Sequence, residues 1–493
     1  MINKEIYNKI NWKDSRNLTM LTDFYELTMM NGYMQSRLGN LTAYFDMFFR
    51  KVPDEGGFAI MAGVEQIIQY INNISFEEED INYLRSKGVF PEEFLDYLRN
   101  FKFTGDIWAI PEGTPIFPNE PIVTVKAPVM EVQFIETMIL LTINHQSLIA
   151  TKANRIVRAA DGRPVMEFGS RRAQGYDGAV YGARAAYVGG CNSTACTIAE
   201  EMFGIPAVGT MAHSWVQLFP SEYEAFKAWT NTNPDNCILL VDTYNVLKSG
   251  IPNAIKVFDE ILRPLGKRPK GIRIDSGDIT YLSNKCREML DKAGYEECKI
   301  TVSSSLDEYI IRDVITQGAK VDSFGVGERL ITSKSESVFG GVYKLSAIEL
   351  EGNIIPKIKI SENETKTTNP GFKITYRLFD KATNKAIADV ITLKDETIDE
   401  TQVYEIFDPV YTWKRKKIRN FYVRKLQVPI FEKGECVYKT PTLQEIQDYC
   451  KEQLETLWPE LMRFENPHKY YVDLSTELWN LKNKLLNELS FED

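Results

Sequence analysis

The chain has 493 residues and a formal net charge of −10, so its mean field repels phosphate backbones and anionic lipid and argues against nonspecific nucleic-acid or membrane partners. Its 44% hydrophobic and 26% charged residues are the proportions of an ordinary soluble globular protein, and its length favours two or three domains over a single core. The opening MINKEIYNKINWKD lacks the apolar stretch of a signal peptide, and no apolar run nears the roughly 20 residues of a membrane helix. Seven cysteines without a C-x-x-C pair fit free thiols in a reducing cytoplasm, with Cys191 and Cys196 structural.

In chain order, SRNLTMLTDFYELTMMNGYMQ (15–35) reads as a helix starting at Thr22 or Asp23, with Glu26 as a capping-box partner for Asp23. A strand and a turn at Gly56 and Gly57 follow, then acidic helical material over 76–100. From Phe103 to Val132 the chain is rich in proline and β-branched residues, which predicts short strands in a small open sheet. Residues 131–160 read as one or two apolar helices, with His145 a satisfied core histidine.

The centre changes character. Apolar β-type runs stop repeatedly at polar or glycine-rich clusters: PVMEFGSRR, CILLVDTYN, GIRIDSGD, KITVSSSLDE and VDSFGVGE. Helix-like stretches with three- and four-residue apolar spacing separate them. Strands alternating with helices, each ending in chemistry-bearing residues, are what an α/β protein with an irregular β/α barrel should look like, because barrel sites collect at the C-terminal ends of the strands. Beyond about residue 345 β-type patterning returns, with a hairpin around Ala382 to Asn384 and two closing helices. The expected division is 1–145, a barrel over 146–345, and 346–493, the two flanks sharing a second α+β domain.

Several residues are candidates for chemistry. His213, one of three histidines, follows the apolar stretch AVGTMA as a loop imidazole after a strand would, although a lone histidine is more often structural. Asp242 and Asp275 lie at strand ends, where an acid either caps the next helix or steadies an imidazole or a cationic sugar carbon. Arg171 and Arg172, in a glycine-rich stretch, suit an anionic substrate, or else are surface side chains. Late glycines, Gly325 and Gly327 before Glu328 and then Gly340 and Gly341, offer loops able to hold a phosphate.

Taken together, TDFYELTMMNGY, EFGSRRAQGYDGAVYGARAAYVGGCNST, GIPAVGTMAHSW, LLVDTYNV, GIRIDSGD and GVGERLITSKSESVFGGVYKL resemble, in order, the blocks of the nicotinate phosphoribosyltransferase family. The resemblance implies a type II phosphoribosyltransferase, dimeric with shared sites. Such an enzyme joins nicotinate to 5-phosphoribosyl 1-diphosphate with ATP hydrolysis, giving nicotinate mononucleotide and diphosphate in NAD salvage. It implies that His213 is transiently phosphorylated with Asp242 supporting it, that Asp275 contacts ribose, and that Arg171, Thr210 and Arg273 line the nicotinate pocket. Tyr25 would stack on the pyridine from the partner subunit. Asn192, Gly325, Gly327, Glu328, Gly340 and Gly341 fall to the phosphoribosyl site, with backbone N–H groups of Gly325 to Gly327 rather than the Glu328 side chain making the phosphate contact. Mg2+ is expected on the diphosphate and ATP, its ligands unspecified. The alternatives are a nicotinamide phosphoribosyltransferase, in which an Asp stands where this chain has Asn192, and a noncatalytic pyridine-binding relative.

Overall fold

A computed structural model describes residues 16–361 and 366–490; the segment read for a signal peptide lies outside them. Two compact units emerge. The first spans residues 149–337. The second draws, among the described residues, on 16–148 and 338–490.

The first unit is built on a six-stranded sheet of β1 (Val165–Glu167), β2 (Ser193–Thr194), β3 (Ile238–Leu240), β4 (Gly271–Ile274), β5 (Lys299–Ser303) and β6 (Ser323–Val326). Its order is β2-β1-β6-β5-β4-β3, every pairing parallel, and a bridge from Thr194 to Ala207 runs beside β2. Parallel strands need long crossovers, and helices supply them: Gly175–Val188 after β1, Glu222–Thr232 before β3, Ile279–Lys292 after β4 and Glu308–Thr316 after β5. Each of the last three starts at a side-chain cap, from Ser221, Asp278 and Asp307 respectively, satisfying amides that a first helical turn leaves unpaired. The strands read as near-continuous apolar runs because both faces are covered; Leu239, Ile272, Ile274, Ile300, Val302, Phe324 and Val326 are fully buried.

In the second unit, a seven-stranded antiparallel sheet runs in the order Asn353–Pro356, Val342–Leu350, Thr42–Phe48, Val123–Pro128, Asp106–Ala109, Val428–Glu432, Glu435–Cys436. The proline-rich 103–132 stretch is therefore not a small sheet of its own. Its strands join a larger sheet through distant partners, Val123–Pro128 with Thr42–Phe48 and Ala109 with Val428, which local patterning cannot reveal. The hairpin around Ala382 to Asn384 joins Lys373–Asp380 to Ala386–Leu393, and the two closing helices are Leu443–Glu455 and Thr476–Ser490. All seven cysteines are free, and only Cys436 is exposed. No helix of the described residues is long and apolar enough to cross a membrane.

A buried ion pair organises this unit's smaller sheet. Arg377 donates through Nε and a terminal nitrogen to both oxygens of Asp389 at 2.8 and 2.6 Å, and also to the Pro115 carbonyl at 2.9 Å. Neither side chain of the pair is exposed. The Tyr470 hydroxyl also donates to this carboxylate at 3.0 Å while its ring stacks on Phe117, and the fully buried Glu120 carboxyl, pushed well above its ordinary value by burial and by Asp389, lies against the same acid. Removing one member leaves the other charge buried without its bidentate partner, which costs more than removing both. Asp389→Ala is expected to lose about 3–5 kcal/mol in chemical denaturation, and the volume-matched double replacement Arg377→Met with Asp389→Leu to lose clearly less. Equal losses would deny the pair this role.

Candidate active site

At the C-terminal edge of the parallel sheet, three neighbouring strands bring together residues more than sixty positions apart. Register fixes the geometry: Leu240 pairs with Arg273, and Arg273 with Thr301. Asp242 thus ends the chain after β3 beside the end of β4, and Ser303 closes β5 beside Asp275. His213 opens a short helix, His213–Gln217, after Ala212 in extended conformation.

The side chains form a continuous hydrogen-bonded set. The Asp242 carboxylate, whose side chain is 1% exposed, lies with Oδ1 3.1 Å from Nε2 of His213, a ring that is 39% exposed. Its Oδ2 accepts from the Asp275 backbone N–H at 3.0 Å and from the Ser276 hydroxyl at 2.6 Å. Arg273 donates through Nε to Ser303 at 2.9 Å, through one terminal nitrogen to Thr210 at 3.2 Å and through the other to Asp275 Oδ1 at 3.0 Å. The Ser303 hydroxyl donates to the same Asp275 oxygen. The guanidinium also lies 5.5 Å from the centre of the Phe168 ring, a cation–π distance.

Asp278, by contrast, caps the Ile279–Lys292 helix through the Tyr281 amide. In one motif, RIDSGD, one acid faces the cluster and the other serves the fold.

Around this set the glycine-rich candidates take mixed positions. Gly325 packs so closely on Phe168 that a Cβ would sit 2.5 Å from the ring, and the Phe168 amide donates to Val326 O at 2.8 Å. Arg171 lies exposed in the turn Ser170–Arg172 that follows β1. Asn192 holds β1 to β2, its side-chain oxygen accepting from the Val165 amide at 3.1 Å. Glu328 is tied to Lys334 at 2.6 Å, and the Lys334 ammonium holds its carboxyl below the usual range. Gly340 and Gly341 belong to the other unit, where the Gly341 amide donates to Asn144 at 3.1 Å. His145 is half-buried in the long helix Glu136–Ala159.

Motif reading does not single out Ser276, Phe168 or Glu167. Glu167, an acid inside an apolar strand and fully buried, accepts from the Thr194 hydroxyl at 2.7 Å and from the Gly169 amide, so it binds the ends of β1 and β2 to the start of the arginine loop. Its place in an otherwise apolar run was the available signal. Nor does it reveal strain: Ser304 and Ser305, just past β5, both have positive φ, 88° and 52°. Non-glycine residues in that region cost about 1–3 kcal/mol each and collect at functional sites.

Tyr25 lies on the second unit's first helix, Phe24–Gln35, with 43% exposure. The capping box expected at Asp23 does not form. Glu26 turns inward instead and accepts from the Thr137 amide at 3.1 Å and its hydroxyl at 2.7 Å, and from Thr22. Thr137 is in the first turn of Glu136–Ala159, so Glu26 caps that helix rather than its own. Burial wins over these hydrogen bonds and raises its carboxyl from 4.5 to about 7.

Family models agree with this layout along nearly the whole described chain: a nicotinate phosphoribosyltransferase N-terminal domain over 20–144, the family proper over 164–397 and a C-terminal domain over 372–482. The nicotinate phosphoribosyltransferase of Bacillus subtilis is 42% identical over 96% of this chain and 96% of its own. The chain belongs to the nicotinate phosphoribosyltransferase family. A second member, nicotinate phosphoribosyltransferase pncB2 of Mycobacterium tuberculosis, is 37% identical over 93% of this chain and 92% of that one. Among solved structures, the human nicotinic acid phosphoribosyltransferase superposes with a TM-score of 0.83 at 28% identity, covering 95% of this chain and 100% of that chain.

The Glu26 carboxyl generates a pH test. A folded-state value raised above the unfolded one means that its contribution to stability is full below 4.5 and is lost as pH rises to about 7. Glu26→Gln does not titrate. Its Tm relative to the parent chain is therefore expected to climb across that window and level off above it, by scanning calorimetry at a series of pH values; a pH-independent difference would contradict the assignment.

Proposed function

We propose that this chain is a nicotinate phosphoribosyltransferase that couples transfer of phosphoribosyl from 5-phosphoribosyl 1-diphosphate to ATP hydrolysis through a phosphohistidine at His213. The observation that carries the reading is the hydrogen-bonded set joining His213, Asp242, Arg273, Asp275 and Thr210. Family membership sets the reaction class, and the geometry supports a division of labour.

With Nε2–H donated to the Asp242 carboxylate, the basic nitrogen of His213 is Nδ1, which suits it to attack the γ-phosphorus of ATP. The N–P bond forms as the bond to the bridging oxygen breaks, and ADP leaves with that electron pair. Asp242 holds the tautomer and balances positive charge on the phosphorylated ring. Water later hydrolyses the phosphohistidine, so ATP is consumed as glycosyl transfer proceeds.

Arg273 has five N–H donors. Three are engaged by Ser303, Thr210 and Asp275, which leaves one on each terminal nitrogen among the hydrogen bonds described. That pair fits the two oxygens of a carboxylate, and Arg171 in the turn after β1 adds positive charge. Nicotinate is favoured over nicotinamide on this ground, and Asn192 in place of an acid removes a repulsion. Asp275, 26% exposed at its side chain, is placed to meet ribose hydroxyls or the cationic anomeric carbon formed as diphosphate departs. Gly325 and Val326 lie inside β6, which pairs with both β1 and β5, so main-chain phosphate binding, with Glu328 kept by Lys334, is narrowed from the expected Gly325 to Gly327 to the Gly327 amide just past the strand.

Magnesium would supply charge neutralisation on the diphosphate and ATP oxygens. No group of three His, Cys, Asp or Glu side chains able to hold a metal occurs among the described residues, and magnesium characteristically arrives on substrate phosphates with one or two carboxylates, for which Asp275 is the partly exposed candidate. Closure of the parallel sheet into an irregular barrel, with a second domain from both chain ends, fits the connectivity. A homodimer in which Tyr25 serves the partner's pyridine site fits its exposure and its place outside the 149–337 unit.

A coupled assay with 5-phosphoribosyl 1-diphosphate, ATP and each pyridine base is expected to give kcat/KM for nicotinate far above that for nicotinamide, and a preference for nicotinamide would overturn the substrate. His213→Ala is expected to abolish ATP-dependent stimulation while leaving slow ATP-independent transfer. An unchanged coupling ratio would refute the phosphohistidine. Arg273→Gln should lower kcat/KM for nicotinate by about 10- to 100-fold, the worth of a charge-assisted hydrogen bond, and should lower that for nicotinamide less.

A further inference from the structure

Ser276 is a small polar residue between two acids with distinct tasks, and no catalytic argument above needs it. Its residue surface is exposed, so its hydroxyl has room to turn to water. Instead it points inward and donates to Asp242 Oδ2 at 2.6 Å, the shortest of the three contacts that carboxylate makes. The carboxylate it reaches is 1% exposed, so the bond is shielded from competing solvent even though the residue is not.

Capping does not explain this orientation, because the following helix is capped by Asp278. The next residue, Gly277, has a φ of +86°. That left-handed turn suits glycine and releases Ser276 from the helix that follows.

We infer that Ser276 is a positioning residue for the phosphorylation step, locking the Asp242 carboxylate so that Oδ1 faces His213 and the imidazole keeps its Nε2–H tautomer. The inference rests on the proposed phosphohistidine at His213. Two donors on Oδ2, one from the backbone and one from Ser276, fix the carboxylate plane as partners behind a ligand fix a metal-bound imidazole. With the backbone donor alone, the carboxylate can swing about that single bond. The ring then samples both tautomers, and the one with hydrogen on Nδ1 has no lone pair there to attack phosphorus.

The test uses the full-length protein with 15N-labelled histidine, in which only three rings report. In the parent chain the His213 shifts should be those of an Nε2–H ring. Ser276→Ala should show a tautomer mixture and form phosphohistidine from ATP about 10- to 100-fold more slowly, with the loss in kcat and little change in KM for ATP. Ser276→Thr, which retains the hydroxyl, should recover most of the rate. A parent-like rate or an unchanged tautomer in Ser276→Ala overturns the inference, as does failure of Ser276→Thr to rescue a folded enzyme. If His213→Ala itself keeps its ATP coupling, the phosphohistidine reading fails first; if that variant loses coupling while Ser276→Ala behaves as the parent, only the role of Ser276 falls.

Discussion

The Asp242 carboxylate is where the first unit's architecture becomes chemistry. It lies almost wholly away from solvent, and a buried carboxylate is tolerable only when its lone pairs are satisfied. The three groups that satisfy it come from two distant stretches of chain: the His213 ring from one, the Asp275 amide and the adjacent Ser276 hydroxyl from the other. Pairing of β3 beside β4 puts the donors within reach, and the carboxylate in turn makes the exact end of each strand matter. A slip of one residue would send Asp242 to the opposite face. The close approach of Gly250 to the Val241 carbonyl, where a Cβ would stand 1.9 Å from the oxygen, shows how tightly the chain doubles back behind that acid.

Arg273 extends the same logic one strand further. Its three nitrogens are divided among Thr210, Asp275 and Ser303, so a long, rotamer-rich side chain is immobilised before any substrate arrives. Ordering it in advance removes a cost of about 0.5–1.5 kcal/mol that binding would otherwise meet. Ser303 bridges Arg273 and Asp275, and the two serines just beyond it, both at positive φ, follow directly on the end of the strand.

Much of this was legible in the chain because the relevant signals are local. Apolar runs ending in polar clusters mark strand ends, and Arg273 and Asp275, two apart on a strand and its continuation, project to one face. What could not be read is register. Nothing in KITVSSSLDE says that Ser303, rather than Ser304 or Ser305, meets Arg273, and nothing near Asp106 announces a partner beyond residue 420. Glu26 shows a second kind of blindness. Its spacing from Asp23 satisfied a capping-box rule, but the amide and hydroxyl of Thr137, more than a hundred residues away, take its carboxylate instead, and tertiary competition won.

A common pattern links the side chains proposed to work on substrate. Each has its inner atoms held and its outer atoms presented. His213 is gripped at Nε2 by a buried acid while its ring is 39% exposed. Asp275 takes Arg273 and Ser303 on Oδ1 while its side chain remains 26% exposed. A site held from behind in this way pays reorganisation in folding rather than at the moment of reaction, which is the condition under which fixed dipoles stabilise developing charge most strongly. Asp242 is held from behind by neutral donors, the Ser276 hydroxyl and the Asp275 N–H, and not by a further charge, whereas Asp275 and Arg273 hold each other as an ion pair with Ser303 and Thr210 as neutral partners. Neutral donors fix direction without cancelling the carboxylate they orient, so Asp242 keeps its negative potential toward the His213 ring. An extra lysine in place of Ser276 would hold Asp242 as firmly and would also neutralise it. Serine rather than a charged partner therefore suits the role proposed for this carboxylate, which needs its charge after it has been positioned.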